Sequence, residues 1–289
     1  MKSFRKWTVG LATVALTASG VAVAEGSCNA SCLNRLMAEY LKDLTRHDPA
    51  SLKLSANLNA RENGHAMAIG AGVWQRITAL PVPGPTFSDP ELGQVVYFGA
   101  AQYGSELGAL FVRLVVKDGK ITESELFTRG GEPGGKDDFS GLLEPDVLYE
   151  APVPEARRSD RKTMAAIIGR YEDGISEHNG SIPPFSYRCD RYSAGLKWTN
   201  NPAVPLEKGG GTCGTSFDGL KGQTVVNRRI AVLDMARGIA VALFIIPHGE
   251  RPTKGSTNVA EVFKIVDGKI RSIEEFAFPG AYPPESGFQ

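Results

Sequence analysis

The residues best suited to covalent chemistry in this 289-residue chain are four cysteines, which are spaced as two local pairs. Cys28 and Cys32 lie four positions apart, which on a helix places their side chains about 6 Å from each other and within disulfide reach. Cys189 and Cys213 would close a loop of about 25 residues, worth roughly 3 kcal/mol in the chain-entropy model. We therefore predict the disulfides Cys28–Cys32 and Cys189–Cys213. The alternative, a metal pair at the first two cysteines, lacks further clustered ligands.

Histidines are the next candidates for chemistry, because histidine is the side chain that ordinarily titrates near neutral pH. His65 follows Glu62-Asn63-Gly64 and is a candidate acid–base group, with a solvent-exposed turn histidine as the alternative. His47 and His178 recur at the ends of two predicted helices, where the helix dipole favours histidine. The four histidines are scattered and no acidic cluster accompanies them, so we predict no metal site.

Sequence motifs of common enzyme classes are absent. The chain contains no HExxH, GxSxG or Walker A sequence. Residues 209–214 contain the GxGxxG pattern of dinucleotide-binding proteins. They follow a proline-rich segment, whereas in those proteins the pattern follows a strand. The sequence therefore carries no motif that indicates a zinc or nucleotide site of these classes.

Composition excludes several classes of protein. The chain has 32 basic and 32 acidic residues and is 42% hydrophobic, which is typical of a globular protein rather than a disordered one. A balanced charge argues against a nucleic-acid binder and against a polybasic membrane-surface protein.

The first 24 residues have the pattern of a signal peptide. Lys2, Arg5 and Lys6 precede the uncharged, mostly apolar residues 7–24, which end in Ala22-Val23-Ala24. Small residues at the last and third-last positions suit signal peptidase. We predict cleavage after Ala24 and a periplasmic or secreted protein; the alternative is an uncleaved anchor.

The chain contains an internal repeat. Residues 36–64 align with residues 167–195 at an offset of 131, and residues 115–127 align with residues 264–276 at an offset of 149. The second copy therefore carries 149 − 131 = 18 extra residues between the two blocks. Collinear blocks indicate duplication. The predicted divisions are a signal peptide at 1–24, copy one at 25–130, a linker at 131–158 and copy two at 159–289.

Each copy is predicted to begin with a helix and to continue with a mostly antiparallel sheet, which is an α+β pattern. Apolar residues recur at helical spacing over residues 33–44 and 164–175. Asp118-Gly119 and Asp267-Gly268 are typical of hairpin turns. Strands are predicted at 95–103, 107–117, 121–128, 225–234, 238–247, 259–267 and 270–278.

These segments resemble the NTF2-like, or SnoaL-like, cone fold. Copy one carries AEYLKDLTRHDPASLKLSANLNARENG and VKDGKITESELF, and copy two carries GRYEDGISEHNGSIPPF and FKIVDGKIRSIEEF. The resemblance covers most of residues 30–130 and 160–280. It implies two tandem α+β cones, in each of which N-terminal helices pack on a curved antiparallel sheet whose hollow is the usual ligand site.

The ketosteroid isomerase branch of this family implies a tyrosine on the first helix that faces a carboxylate on the first strand. The matching positions are Tyr40 and either Arg61 or Glu62, and a match to Arg61 puts the base in doubt. Copy two has Tyr171 but no glutamate at the strand position, so we expect the acid–base pocket in copy one. The alternative is that Tyr40 belongs to the core and Glu62 to a solvated turn. Predicted catalytic residues are Tyr40, Glu62, His65 and Tyr103; predicted substrate-binding residues are Arg61, Trp74, His47 and Tyr192.

A narrower resemblance, to formaldehyde lyases of lignin-dimer catabolism, implies a reaction. The chain is expected to be an exported, cofactor-independent lyase that acts on a small aromatic molecule, for example by retro-aldol cleavage that releases formaldehyde. A dehydratase or isomerase of the same fold and a non-catalytic small-molecule-binding protein are the alternatives. The expected partner is an apolar or aromatic substrate, with no nucleic acid and no membrane after signal cleavage, and the chain is expected to be a monomer or homodimer.

Overall fold

The computed structural model describes residues 28–130, 137–220, 222–249, 255–280 and 286–288. Within them the chain forms two halves with the same order of elements, a helix followed by six strands. The predicted signal peptide lies outside the described residues. The first half contains α1 (Ala30–Thr45), β1 (Leu54–Glu62), β2 (His65–Ala66), β3 (Thr86–Asp89), β4 (Gln94–Tyr103), β5 (Glu106–Lys117) and β6 (Lys120–Gly130). The second half contains α2 (Arg161–Glu177), β7 (Phe185–Ser193), β8 (Leu196–Lys197), β9 (Val226–Asp234), β10 (Ile239–Pro247), β11 (Ser256–Val266) and β12 (Lys269–Gly280).

Each helix begins at a side-chain cap. The carboxamide oxygen of Asn29 accepts a hydrogen bond from the backbone N–H of Cys32, and the carboxylate of Asp160 accepts one from Thr163. Such caps satisfy backbone donors that the first helical turn leaves free. The apolar faces then pack against the sheets, where Tyr40 of α1 and Tyr171 of α2 are fully buried.

The two sheets have the same strand order. The first runs β2-β1-β6-β5-β4-β3, and the second runs β8-β7-β12-β11-β10-β9. Neighbouring strands are antiparallel except for the parallel pairs β1 with β6 and β7 with β12. The predicted α+β fold of two tandem cone-like units is therefore confirmed. Two details differ from the expectation: each half has one α-helix before its first strand rather than several, and each sheet is mixed.

The two sheets face each other across a shared hydrophobic core. Side chains alternate along β4, so Tyr97 faces α1 while Phe98 faces the other half. The ring centroids of Phe98 and Phe276 lie 5.0 Å apart across this core. Residues 137–153 also enter it, with Phe139 and Tyr149 buried. The described part of the predicted linker is thus packed against both halves.

Buried ion pairs also join the halves. Both carboxylate oxygens of Glu125 accept hydrogen bonds from Arg229 at 2.7 and 2.9 Å, and Oε2 accepts a third from Arg113 at 3.2 Å. On the other side, Asp89 accepts from Arg161 at 2.9 Å. These bonds connect β6 with β9 and the end of β3 with α2, so each half fixes the position of the other.

Both predicted disulfides, Cys28–Cys32 and Cys189–Cys213, are present. The first bridges the start of α1, and the second joins β7 to the segment inserted in the second half. Disulfides persist in oxidising compartments, so the pair indicates an extracellular-type environment. Among the described residues, no helix is long and apolar enough to cross a membrane.

Candidate functional site

Tyr40 and Trp74 fill the interior of the first half. The Tyr40 hydroxyl shares a hydrogen bond of 2.8 Å with the Ser124 hydroxyl and accepts one of 3.3 Å from the Trp74 indole N–H. The two rings meet edge to face, with centroids 5.1 Å apart. Burial raises the pKa of Tyr40 above its ordinary value. Both side chains are buried in the hydrophobic core of the first half, which is the alternative interpretation given for Tyr40.

Glu62 is also engaged by protein groups. Its Oε2 accepts a hydrogen bond of 2.7 Å from the Val73 backbone, and its Oε1 accepts one of 3.2 Å from Arg76. The contact requires glycine at position 72, because a Cβ there would lie 2.1 Å from Oε2. Glu62 thus holds the short 3₁₀ helix Gly72–Gln75 that carries Trp74. It is buried, and not the solvated turn residue of the alternative interpretation.

The remaining predicted residues of the first half are dispersed. The Tyr103 hydroxyl bonds to the Thr128 hydroxyl, and burial raises the pKa of Tyr103 to about 12. His65 is exposed on β2. The His47 ring donates to the carbonyl oxygen of Trp74, and Arg61 donates to the carbonyl oxygen of Gly64 at 3.0 Å. None of these four side chains, His47, Arg61, His65 and Tyr103, lines a cavity that we describe in the first or the second half.

A cavity of about 530 Å³ instead lies in the second half, between α2 and the inner face of its sheet. This size is typical of small-molecule sites. The expectation that the acid–base pocket belongs to copy one stays a prediction; in the first half Trp74 packs against Tyr40, and this cavity lies in the second half. The walls are about equally polar and apolar, and the apolar side chains include Ile175, Leu220, Phe244, Ile246, Val259 and Ala277.

Four polar side chains meet at the floor of the cavity. Tyr171 donates a hydrogen bond of 2.8 Å to Oε1 of Glu261. Arg191 forms an ion pair of 3.2 Å with Glu275. Glu261 and Glu275 lie directly opposite each other on the antiparallel strands β11 and β12. Side chains at such positions leave the same face of the sheet about 5 Å apart, so the two carboxyl groups are neighbours.

The two glutamates have different surroundings. Burial, and next the charge of Glu275, raise the pKa of Glu261 well above its ordinary value. Two carboxylates that share a site rarely ionise together. Glu275 has the guanidinium of Arg191 as its counter-ion, whereas Glu261 has a tyrosine hydroxyl. Burial beside a second carboxyl group therefore favours the neutral form of Glu261.

The first half lacks this polar floor although it shares the fold. At the offsets of the internal repeat, Glu261 corresponds to Val112, Glu275 to Leu126, and Arg191 to Ala60. Only the helix tyrosine is common to both halves. Neither glutamate is among the site residues predicted from the sequence. The sequence signal that could have identified them is the presence of glutamates in copy two at two strand positions where copy one has Val112 and Leu126.

Near the cavity, His178 has a structural role. Its Nδ1 donates to the carbonyl oxygen of Ile175 at 3.0 Å, and its Nε2 accepts from the backbone N–H of Gly222 at 3.0 Å. The ring therefore holds Gly222, which lines the cavity, against the end of α2.

Tyr192 lies elsewhere, at a small cavity of about 50 Å³ between the halves, which Glu274 also lines. Burial raises the pKa of Glu274 to about 8, and its Oε1 accepts a hydrogen bond of 2.8 Å from the backbone of Gly195. The predicted substrate-binding residue Tyr192 thus belongs to a space too small for a drug-sized ligand.

The pKa of Glu274 predicts a pH dependence of stability. Between about pH 4.5 and pH 8 the folded chain keeps a proton on Glu274 that the unfolded chain has released. The free energy of unfolding should therefore fall as pH rises through this window. Glu274→Gln keeps an acceptor for Gly195 and should flatten the fall in urea titrations, while Glu39→Gln, at an exposed helix position, should not. Parallel curves for Glu274→Gln and the wild type would contradict the assignment.

Fold and cavity together define the class: a tandem pair of cone-like α+β units, of which the second encloses a ligand-sized hollow. Residues 157–277 match a family described as a domain of unknown function, DUF8021. This match spans the second half.

Two solved structures are similar over part of the chain. One is a protein of unknown function with a cystatin-like fold from Methylobium petroleophilum PM1, at 16% identity and a TM-score of 0.33, covering 45% of this chain and 84% of that one. The other is a protein from Sphaerobacter thermophilus, at 10% identity and a TM-score of 0.26, covering 41% of this chain and 91% of that one. No curated protein matches the chain. The function must therefore be argued from the site.

Proposed function

We propose that the second half is a cofactor-independent acid–base enzyme of the lyase or isomerase kind, acting on a small, partly apolar molecule in the cavity. One observation carries the proposal: Glu261 and Glu275 lie side by side at the floor of a ligand-sized cavity, the first bonded to Tyr171 and the second paired with Arg191. Neighbouring carboxyl groups with separated pKa values are a common basis for dividing acid and base roles.

The roles follow from the partners of each group. Glu275, as carboxylate, accepts a proton from a substrate carbon. Glu261 in its protonated form and the Nε–H of Arg191 donate hydrogen bonds to the substrate oxygen on which negative charge develops, while Tyr171 donates to Glu261. Arg191 orients Glu275 through their ion pair. Return of the proton to another carbon gives isomerisation, and loss of a leaving group gives elimination.

Proton abstraction can be tested before the natural substrate is known. The probe is 2-tetralone in D₂O, whose deuterium uptake next to the carbonyl is followed by NMR. Wild-type chain should accelerate uptake, and Glu275→Gln should lower the rate constant by about 100-fold, the lower range for a lost general base. Far-UV circular dichroism and thermal unfolding verify that each variant is folded.

The matched variant in the first half is Glu62→Gln, which should leave uptake within about twofold of wild type because Glu62 binds Val73 and Arg76. Loss of uptake in Glu62→Gln with retention in Glu275→Gln would return the catalytic role to the first half. Wild-type chain without any acceleration would count against the enzyme proposal.

The narrower reaction expected from sequence is retro-aldol cleavage with release of formaldehyde. It needs the same parts, a base for the substrate hydroxyl and donors for the developing charge. Lignin-type diaryl diols and phenylcoumarans, incubated without metal or cofactor, should yield formaldehyde and a stilbene detectable by its ultraviolet spectrum. The benzylic oxygen leaves as water from the diols and as the ring phenol from the phenylcoumarans. If no compound of this panel releases formaldehyde while the chain still accelerates deuterium uptake by 2-tetralone, an isomerase or dehydratase is favoured.

Localisation and partners follow from the same proposal. The two disulfides suit an exported protein, and the expected signal peptide at residues 1–24 would direct it there. The partner is a small molecule, and balanced charge gives no basis for nucleic-acid binding.

A non-catalytic carrier is the second candidate. The observation that favours it is that Oε1 of Glu261 and Oε2 of Glu275 already have protein partners, as in a structural network. A carrier would bind 2-tetralone without accelerating its deuterium uptake.

A further inference from the structure

We propose that Asn179 is the acceptor of an N-linked glycan, attached to its Nδ2 atom while the chain passes through a secretory pathway. The tripeptide Asn179-Gly180-Ser181 has the Asn-x-Ser pattern of N-glycosylation acceptors, with a residue other than proline in the middle. Three features support the site: the exposure of its side chains, the hydrogen bonds of the Asn179 carboxamide, and the disulfides of the chain. The modification is independent of any activity in the second-half cavity.

The tripeptide lies in the turn between α2 and β7, directly after the residue that ends the helix. Asn179 and Ser181 are both exposed, as acceptor residues on a surface loop are. The backbone of the turn packs closely on the segment inserted in the second half, because a Cβ at Gly180 would lie 1.9 Å from the carbonyl oxygen of Gly214. A well-defined turn therefore presents the asparagine and the serine to solvent.

The carboxamide of Asn179 binds the turn through its oxygen. Oδ1 accepts hydrogen bonds from the Ser181 backbone N–H at 3.0 Å and from the Ser181 hydroxyl at 2.6 Å, which together form an Asx turn. Within the described part of the chain, Nδ2 donates no hydrogen bond to another residue. A sugar on Nδ2 therefore leaves the hydrogen bonds of the turn in place.

Other asparagines of the chain are engaged through Nδ2. Those that donate from this atom to a protein oxygen are Asn59, Asn63, Asn200, Asn201 and Asn258. None of these is followed two positions later by serine or threonine. The acceptor pattern and an Nδ2 that is available for modification therefore coincide at Asn179.

A second Asn-x-Ser tripeptide, Asn29-Ala30-Ser31, has a different structure. It lies inside the small ring closed by the Cys28–Cys32 disulfide, and the Asn29 carboxamide oxygen caps α1 by accepting from Cys32. The serine hydroxyl contacts the asparagine carboxamide at Asn179, where the tripeptide forms its own turn. Asn179 is therefore the assigned acceptor.

The chemistry needs a secretory compartment, which the disulfides also indicate. The donor is an oligosaccharide carried on a lipid diphosphate. A bond forms between Nδ2 and C1 of the first sugar, and the bond from C1 to the phosphate oxygen breaks. Nδ2 releases a proton, and the lipid diphosphate leaves.

Expression of the full chain in a eukaryotic secretory host tests the assignment, in a background of Asn29→Asp. Aspartate keeps the cap of α1 but removes the second tripeptide. Mass spectrometry of the secreted protein should find a glycopeptide that contains Asn179. Release of the glycan by an N-glycosidase in heavy-oxygen water should leave labelled aspartate at this position, and a parallel incubation without the enzyme corrects for spontaneous deamidation.

Variants in the same background separate the glycan from the turn. Asn179→Asp keeps the acceptor oxygen without Nδ2, and Ser181→Ala keeps Nδ2 without the hydroxyl, so both should lose the glycan completely. Ser181→Thr keeps the pattern and should keep the glycan, as should Asn57→Gln, which changes an exposed asparagine outside any such tripeptide. A secreted chain without a glycan, a glycan that persists in Asn179→Asp, or a chain that stays in the cytosol would overturn the assignment.

Discussion

Glu125→Ala is expected to lower the free energy of unfolding by about 3–5 kcal/mol, the range for breaking a buried ion pair from one side. Glu125 is 1% exposed and joins Arg113 of its own sheet to Arg229 of the other half. Its removal leaves two guanidiniums in the interior with one fewer counter-charge. Equilibrium urea unfolding with tryptophan fluorescence measures the change.

Glu123→Ala is the matched control, because Glu123 also pairs with Arg113 but its side chain is 26% exposed. Its loss should cost less than about 1 kcal/mol, as for ion pairs near the surface. If Glu125→Ala costs no more than Glu123→Ala, the two halves are not joined through this pair.

Trp74→Ala is expected to destabilise the chain by about 3–5 kcal/mol, the usual cost of truncating a buried tryptophan. Trp74 is 2% exposed, packs edge to face on Tyr40 and donates to its hydroxyl. Truncation would leave a cavity in the first half and remove the partner of Tyr40. Thermal and urea unfolding of the purified variant measure the loss.

Trp74→Phe separates packing from hydrogen bonding. Phe217 of the second half packs on Tyr171 in a similar edge-to-face contact, with centroids 5.4 Å apart, so the fold accepts a phenylalanine ring against the helix tyrosine. This variant should cost about 1–3 kcal/mol for the lost hydrogen bond and the smaller ring. Equal stability of wild type and Trp74→Ala would contradict the view that this side chain supports the first half.

Much of the fold could be predicted from the sequence, because both helices and the long buried strands have strong apolar periodicity. The repeat offsets paired Tyr40 with Tyr171, and the cysteine spacing gave both disulfides. Strand β1 (Leu54–Glu62) had no such signal in LSANLNARE, since its side chains are partly exposed and several are polar. Strand β3 (Thr86–Asp89) was missed because it has only four residues.

The site was less predictable, because occupancy of an interior depends on packing. The Trp74 indole lies in the interior of the first half because of the position of the 3₁₀ helix Gly72–Gln75. Glu62 holds this helix by accepting a hydrogen bond from the Val73 backbone. Glu62 and Tyr40 had the right residue types for catalysis, yet their surroundings hold them in the core. Glu261 and Glu275 became visible only once the strand register placed them opposite each other.

The central claim is that the hollow of the second half binds the ligand, and the most direct test is a crystal structure of the chain soaked with 2-tetralone, the ketone probe of the exchange assay. We predict density for the probe between Phe244 and Val259, with its carbonyl oxygen within hydrogen-bond distance of Glu261 or Arg191. Density confined to the first half, for example in the open groove beside Leu41 and Leu80, or a second-half cavity that stays empty at saturating probe, would contradict the claim.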